Sequence, residues 1–158
     1  MMTIVDDQTA VYRRHADELI RYATVLVGPA DAPDVVTDAV LAAFRSPAWA
    51  SVGNHRAYLY RAVLNTAHSW RRSSQRRRGR EERAAVRDAV HATVQAQEPS
   101  VDAHRALATL SPQQRAVVFL TYWEDLTPSQ IAELLDVGEG SVRKQLARAR
   151  ETLRSVLS

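Results

Sequence analysis

Apolar residues along this chain recur at helical spacing and nowhere alternate over a useful length, so the pattern predicts an all-α protein. Tyr12, Ala16, Leu19, Ile20, Ala23, Leu26 and Val27 form one stripe, which Gly28-Pro29 stops. Asp31 is placed as an N-cap with Pro33 in the first turn, and Val35, Val36, Ala39, Val40, Ala43 and Phe44 carry a second helix to about Arg45. Residues 46–53, SPAWASVG, read as a loop, after which Asn54 caps a third helix through Leu59, Val63, Thr66 and Trp70. These helices predict a small bundle over 1–78.

From Arg71 the composition changes. RRSSQRRRGREER has little to bury, and the alanine-rich, charged stretch up to Pro99 is a weak helix former in isolation, so 79–99 reads as a flexible linker. About 20 residues span roughly 65 Å when extended and only about 30 Å when helical. A second apolar block occupies 100–158. Ser111-Pro112-Gln113-Gln114 and Thr127-Pro128-Ser129-Gln130 each supply a capping hydroxyl, a proline at the first helical position and a glutamine at the third. The helices they start carry Val117, Val118, Leu120 and Tyr122, then Ile131, Leu134 and Leu135; after Asp136-Val137-Gly138 a last helix carries Val142, Leu146, Ala149, Leu153 and Val156. Two small helical bundles joined by a flexible linker follow, each with apolar faces of its own and each expected to fold alone.

Composition narrows the function. The formal charge is +3 and the pI near 9.7, and Lys144 is the only lysine, so the basic balance rests on arginine, whose planar fork suits phosphate and guanine. The absence of cysteine excludes a disulfide framework and Cys-type zinc sites. The acidic, polar start MMTIVDDQTA is unlike a signal peptide, and no apolar run suffices for a membrane span, so a cytoplasmic protein without membrane insertion is expected. No phosphate-cradling glycine loop, HExxH or Ser/His/Asp arrangement points to an enzyme, and no catalytic residue, metal or cofactor is assigned. His15 with Asp17 and Glu18, and Asp102 with His104, have ordinary helix-surface spacings.

Residues 126–150, LTPSQIAELLDVGEGSVRKQLARAR, place two short helices around a turn of about three residues, as a helix-turn-helix requires. The outward face of the second helix holds Ser141, Arg143, Lys144, Gln145 and Arg148, residue types that bond base edges or phosphates; the plain alternative is a solvated basic face.

This segment resembles region 4 of RNA polymerase sigma factors, in particular the LSYEEIAEILGIPEGTVKSRLHRAR pattern of the extracytoplasmic-function group, including its actinobacterial sigma-E-like members. DAPDVVTDAVLAAF is similar to that group's DAEDLVQEVFLRAW, and HRAYLYRAVLNTAHSWRRSSQRRR to its WLYRIARNLAIDYLRR segment. The resemblance implies a factor that binds core RNA polymerase and directs it to promoter DNA. It implies that Asp34, Val35, Asp38 and Leu41 dock on the clamp helices of the largest subunit. It also implies that Trp49 to Arg56, with Asn54, and then Tyr58, Arg61 and Asn65, capture bases of the opened minus-ten strand, with Arg71 and Arg72 beside them. Ser141, Arg143, Lys144, Gln145 and Arg148 would read the minus-thirty-five duplex. An anti-sigma factor is an expected further partner.

From residue types alone, Asp34 with Asp38 could instead be a carboxylate site, Trp49 and Tyr58 core anchors, and the arginine run a solvated stretch. Departures from the group's pattern are Thr37 for a frequent glutamine, a short loop at Ser46-Pro47, Asp136 for a frequent glycine and Gln145 for a frequent arginine. Asp136 must accept a left-handed backbone or shift the turn. A stand-alone helix-turn-helix regulator is the rival reading; it uses residues 126–150 equally well and leaves Asp34, Asp38 and the arginine run without a role.

Overall fold

The computed structural model describes residues 4–77 and 101–157. The linker expected over 79–99 lies outside the described residues. Among those described, every regular element is helical.

The first bundle is α1 (Ile4–Val27), α2 (Ala32–Arg45) and α3 (His55–Arg77), which pack on one another. α1 is arrested at Gly28, whose φ of +91° suits glycine and whose N–H reaches back to Thr24 O at 2.8 Å. Asp31 does stand at the N-cap position of α2, but its backbone is helical (φ −96°, ψ −16°) and it makes no side-chain cap, so Pro33 is the stronger start signal there. The expected loop contains a short 3-10 turn, Pro47–Ser51, capped by Ser46 Oγ accepting from Ala48 N–H. Asn54 Oδ1 accepts from Ala57 N–H at 3.0 Å and caps α3 as its position required. α3 runs beyond Trp70 to Arg77, because arginine, serine and glutamine extend a helix already nucleated by a packed face.

The second bundle is α4 (Val101–Ala108), α5 (Pro112–Tyr122), α6 (Pro128–Leu135) and α7 (Glu139–Leu157). Both capping boxes form: Ser111 and Gln114 exchange hydrogen bonds at 3.2 Å, and Thr127 and Gln130 at 2.9 and 3.2 Å. Asp136 takes the left-handed option at φ 55°, ψ 51°, turning α6 into α7 within three residues.

The two bundles meet. α1 and α3 pack on α5, and α3 also packs on α6. The fully buried Tyr22 ring lies 4.7 Å from Tyr60 and 5.7 Å from Phe119 of the second bundle, so one apolar core runs through both halves. Nothing in the periodicity announces this seam, since Tyr22 and Phe119 fit the inner stripes of their own helices equally well.

Candidate nucleic-acid interface

α6 and α7 set the geometry of an exposed basic surface. Ile131, Leu134 and Leu135 of α6 face Val142, Leu146 and Ala149 of α7, all buried. That packing, with a capped start to α6 and a three-residue turn, fixes the angle between the helices. Ser141, Arg143, Lys144 and Arg148 are exposed on the outward side of α7, and Gln145 is half-buried at its margin. Arg143 donates to Glu139 Oε1 at 2.8 Å one turn earlier, an exposed pair that leaves the guanidinium available to a stronger acceptor. Arg150 lies outside this set: its Nε donates to the Tyr122 hydroxyl at 2.8 Å.

In the first bundle, Asn54, Tyr58, Arg61 and Asn65 follow one another at steps of four, three and four and so share one stripe of α3. Asn54 spends its side-chain oxygen on the cap, Asn65 is exposed, and Tyr58 is half-buried. Trp49 is also half-buried. It stacks on His55 at 4.6 Å and meets Phe44 and Tyr58 edge-on at 4.9 and 5.6 Å, so Trp49 and Tyr58 anchor the loop to the bundle. Arg61 turns to the second bundle, donating from Nε to Leu134 O at 3.0 Å and from Nη2 to Glu133 O at 3.2 Å. The side chains of Arg71 and Arg72 lie outside the described residues.

Arg56 departs from the sequence expectation. It sits about 200° around α3 from Asn54, at 100° per residue, and faces inward. Its Nε donates to both Glu18 oxygens at 3.2 and 3.0 Å, its guanidinium lies 5.0 Å from the Tyr60 ring centroid, and Nη2 is 4.0 Å from Glu124 of the second bundle. Arg56 is thus part of the scaffold. Its partner Glu18 also departs from its ordinary helix-surface spacing: its side chain is 19% exposed and also meets His15 Nδ1 at 2.7 Å and accepts from the Tyr60 hydroxyl at 3.1 Å. Burial alone would raise the Glu18 pKa; the bonds from His15, Arg56 and Tyr60 and the Arg56 charge outweigh it and hold the carboxyl below its ordinary value. Burial, and then the Glu18 charge, push the Tyr60 hydroxyl well above its ordinary value. The overlooked signal was Glu18's place on the apolar stripe, beside Leu19 and one turn before Tyr22.

On α2, Asp34, Asp38 and Leu41 share an outward stripe, Leu41 being 44% exposed. Val35 does not belong to it. A single 100° step from Asp34 carries it to the inner face, where it is 0% exposed and offers nothing to a partner. Thr37 bonds back to Pro33 O at 2.8 Å. No described helix is long and apolar enough to cross a membrane.

Fold and surface together define an all-helical, two-bundle DNA-binding protein of the helix-turn-helix class. Comparison with known proteins narrows the class. Residues 11–77 match the model of sigma-70 region 2, and residues 100–153 that of sigma-70 region 4. The chain is 31% identical over 149 residues to the RNA polymerase sigma-E factor of Streptomyces coelicolor, covering 92% of this chain and 82% of that protein. It is 33% identical over 166 residues to the extracytoplasmic-function sigma factor SigL of Mycobacterium tuberculosis, covering 94% and 87%. Among solved structures it shares its fold with the sigma factor RpoE of Bartonella quintana, crystallised with the anti-sigma factor NepR, at a TM-score of 0.65, 23% identity and 96% coverage of both chains. CnrH, solved with the cytosolic domain of CnrY, gives a TM-score of 0.63 at 23% identity, over 95% of this chain and 86% of that one. The chain belongs to the extracytoplasmic-function family of RNA polymerase sigma factors, whose members direct core polymerase to promoters and are generally non-enzymatic. The region 2 match extends the family assignment to the first bundle.

Proposed function

We propose that this sigma factor holds its promoter by two grips and its polymerase by a third surface. Ser141, Arg143, Lys144, Gln145 and Arg148 of α7 read the minus-thirty-five duplex. The α3 stripe of Asn54, Tyr58, Arg61 and Asn65 holds the opened minus-ten strand, with Trp49 shaping the loop above it and Arg71 and Arg72 supplying charge for the phosphates. Asp34, Asp38 and Leu41 dock on the clamp helices of the largest polymerase subunit, acidic side chains beside an apolar one meeting a basic partner. The functional units are 1–78 and 100–158, with 79–99 joining them. Core polymerase supplies all the catalysis, in the cytoplasm, and an anti-sigma factor covers the chain when it is idle.

The observation that carries this reading is the exposed Ser/Arg/Lys face of α7, set at a fixed angle by a capped, three-residue helix-turn-helix. The polymerase surface is tested by Asp34→Arg/Asp38→Arg in the full chain. Both side chains are exposed, so helix content by circular dichroism stays at the wild-type level while co-purification with core polymerase is lost. Wild-type recovery of the variant with core would refute the docking assignment.

A further inference from the structure

The first turn of α7 carries a carboxylate, Glu139, at the edge of the basic face. Four residues on a helix return to within about 40° of the same side, so Glu139 and Arg143 share one stripe. Arg143 Nη2 donates to Glu139 Oε1 at 2.8 Å, and the two side chains are 65% and 46% exposed. The bond takes one nitrogen from the guanidinium and one oxygen from the carboxylate. Nε, Nη1 and Oε2 have no other partner among the described residues.

A carboxylate is out of place on a surface that meets DNA, because phosphates repel it and offer it no donor. Base edges differ. In the major groove cytosine and adenine each present an exocyclic amino group, which a carboxylate accepts from, whereas guanine and thymine present oxygen at the same place, which repels it. A helix-turn-helix brings the N-terminal residues of its second helix to these edges, and Glu139 is the first residue of α7. Arg143 has the opposite ambiguity, since a guanidinium binds phosphate as readily as guanine. Held by Glu139 at one nitrogen, it keeps donors for a guanine edge beside the carboxylate and is restrained from turning to the backbone.

We propose that Glu139 is a specificity-determining residue of the minus-thirty-five reader. It accepts from the exocyclic amino group of a cytosine or adenine, holds Arg143 on a neighbouring guanine, and disfavours every docking in which this end of α7 rests on phosphates alone. The inference rests on α7 as that reader and adds to it an acidic residue whose effect is to weaken DNA binding in general while sharpening its selectivity.

The test uses the full chain assembled with core polymerase and a duplex library randomised across the minus-thirty-five element, with bound fragments sequenced for wild type, Glu139→Gln and Arg143→Ala. Wild type should prefer cytosine or adenine over guanine or thymine at one position of one strand, and the base selected there tells which amino group is read. Glu139→Gln, close in shape but uncharged, should reduce that preference about tenfold. It should also bind a scrambled duplex more tightly than wild type. The slope of log affinity against log salt should steepen by about 0.9, as the released Arg143 takes a phosphate. A role confined to the helix end would weaken all duplexes alike, with the slope unchanged, and that result would overturn the proposal. So would a preference within twofold of wild type at every position. If Arg143→Ala alters the selected sequence and Glu139→Gln does not, only the role of Glu139 falls; if neither variant nor Lys144→Ala alters it, the assignment of α7 to the minus-thirty-five element falls with it.

Discussion

Tyr22→Phe should make this protein more stable. The Tyr22 ring is 0% exposed and is held between Tyr60 and Phe119, contacts that phenylalanine keeps. Its hydroxyl has no hydrogen-bond partner among the described residues. A buried hydroxyl without a partner costs about 1–3 kcal/mol, and removing one oxygen leaves a small void that returns part of that, so a net gain of about 1–2 kcal/mol is expected. For a chain of 158 residues, at about 2.1 cal/mol/K per residue, this corresponds to a rise in Tm of roughly 3–6 °C. Burial, with a smaller contribution from Tyr60, pushes the hydroxyl far above its ordinary pKa, so it is neutral in the folded state, and below about pH 9 it is neutral in the unfolded chain as well. The gain should therefore be the same at pH 6 and pH 8.5. Thermal and urea unfolding followed by both far-ultraviolet circular dichroism and tryptophan fluorescence would measure it. A Tm equal to or below that of wild type would show that the hydroxyl is satisfied and that the seam carries no such cost.

Glu18→Gln should cost about 1.5–3 kcal/mol at pH 7, because it removes a charged acceptor from Arg56, His15 and Tyr60. The folded Glu18 pKa lies below its ordinary value, so its contribution is complete above the unfolded pKa near 4.5 and is lost as pH falls through the lower folded value; the variant should lack that acid-side slope in urea melts taken from pH 7 to pH 3. Asp136→Ala should cost about 1 kcal/mol, since alanine tolerates the left-handed turn less well than aspartate, and chemical denaturation will read it. Arg143→Ala or Lys144→Ala should cost about 1–3 kcal/mol in promoter affinity and relax preference at one or two positions if the side chain reads a base edge, measured against a promoter panel; uniform weakening across the panel would assign that side chain to phosphate.

Local chemistry in this sequence spoke clearly. Ser111, Thr127 and Asn54 cap the helices they were expected to cap, and Val142, Leu146 and Ala149 turn inward while Arg143, Lys144 and Arg148 turn outward, because capping and amphipathic periodicity depend on neighbours a few residues away. Long-range partnerships did not speak. Arg56 and Arg61 look equivalent in the sequence, yet one is claimed by Glu18, 38 positions earlier, and the other by carbonyls 72 and 73 positions later. Backbone acceptors leave no trace in residue type, so the cap that Arg61 places on α6 could not have been read from the chain. Val35 was legible in principle: its neighbour Asp34 lies a full 100° away on α2, and the apolar stripe claims Val35 with Val36 and Ala39.

Run-off transcription with purified core polymerase on a pool of genomic promoter fragments tests the central claim most directly. The full chain added to core should yield discrete transcripts from a restricted set of fragments that core alone does not transcribe, and Asp34→Arg/Asp38→Arg should abolish them. Transcript patterns unchanged by the chain, in a preparation that binds core, would contradict the account.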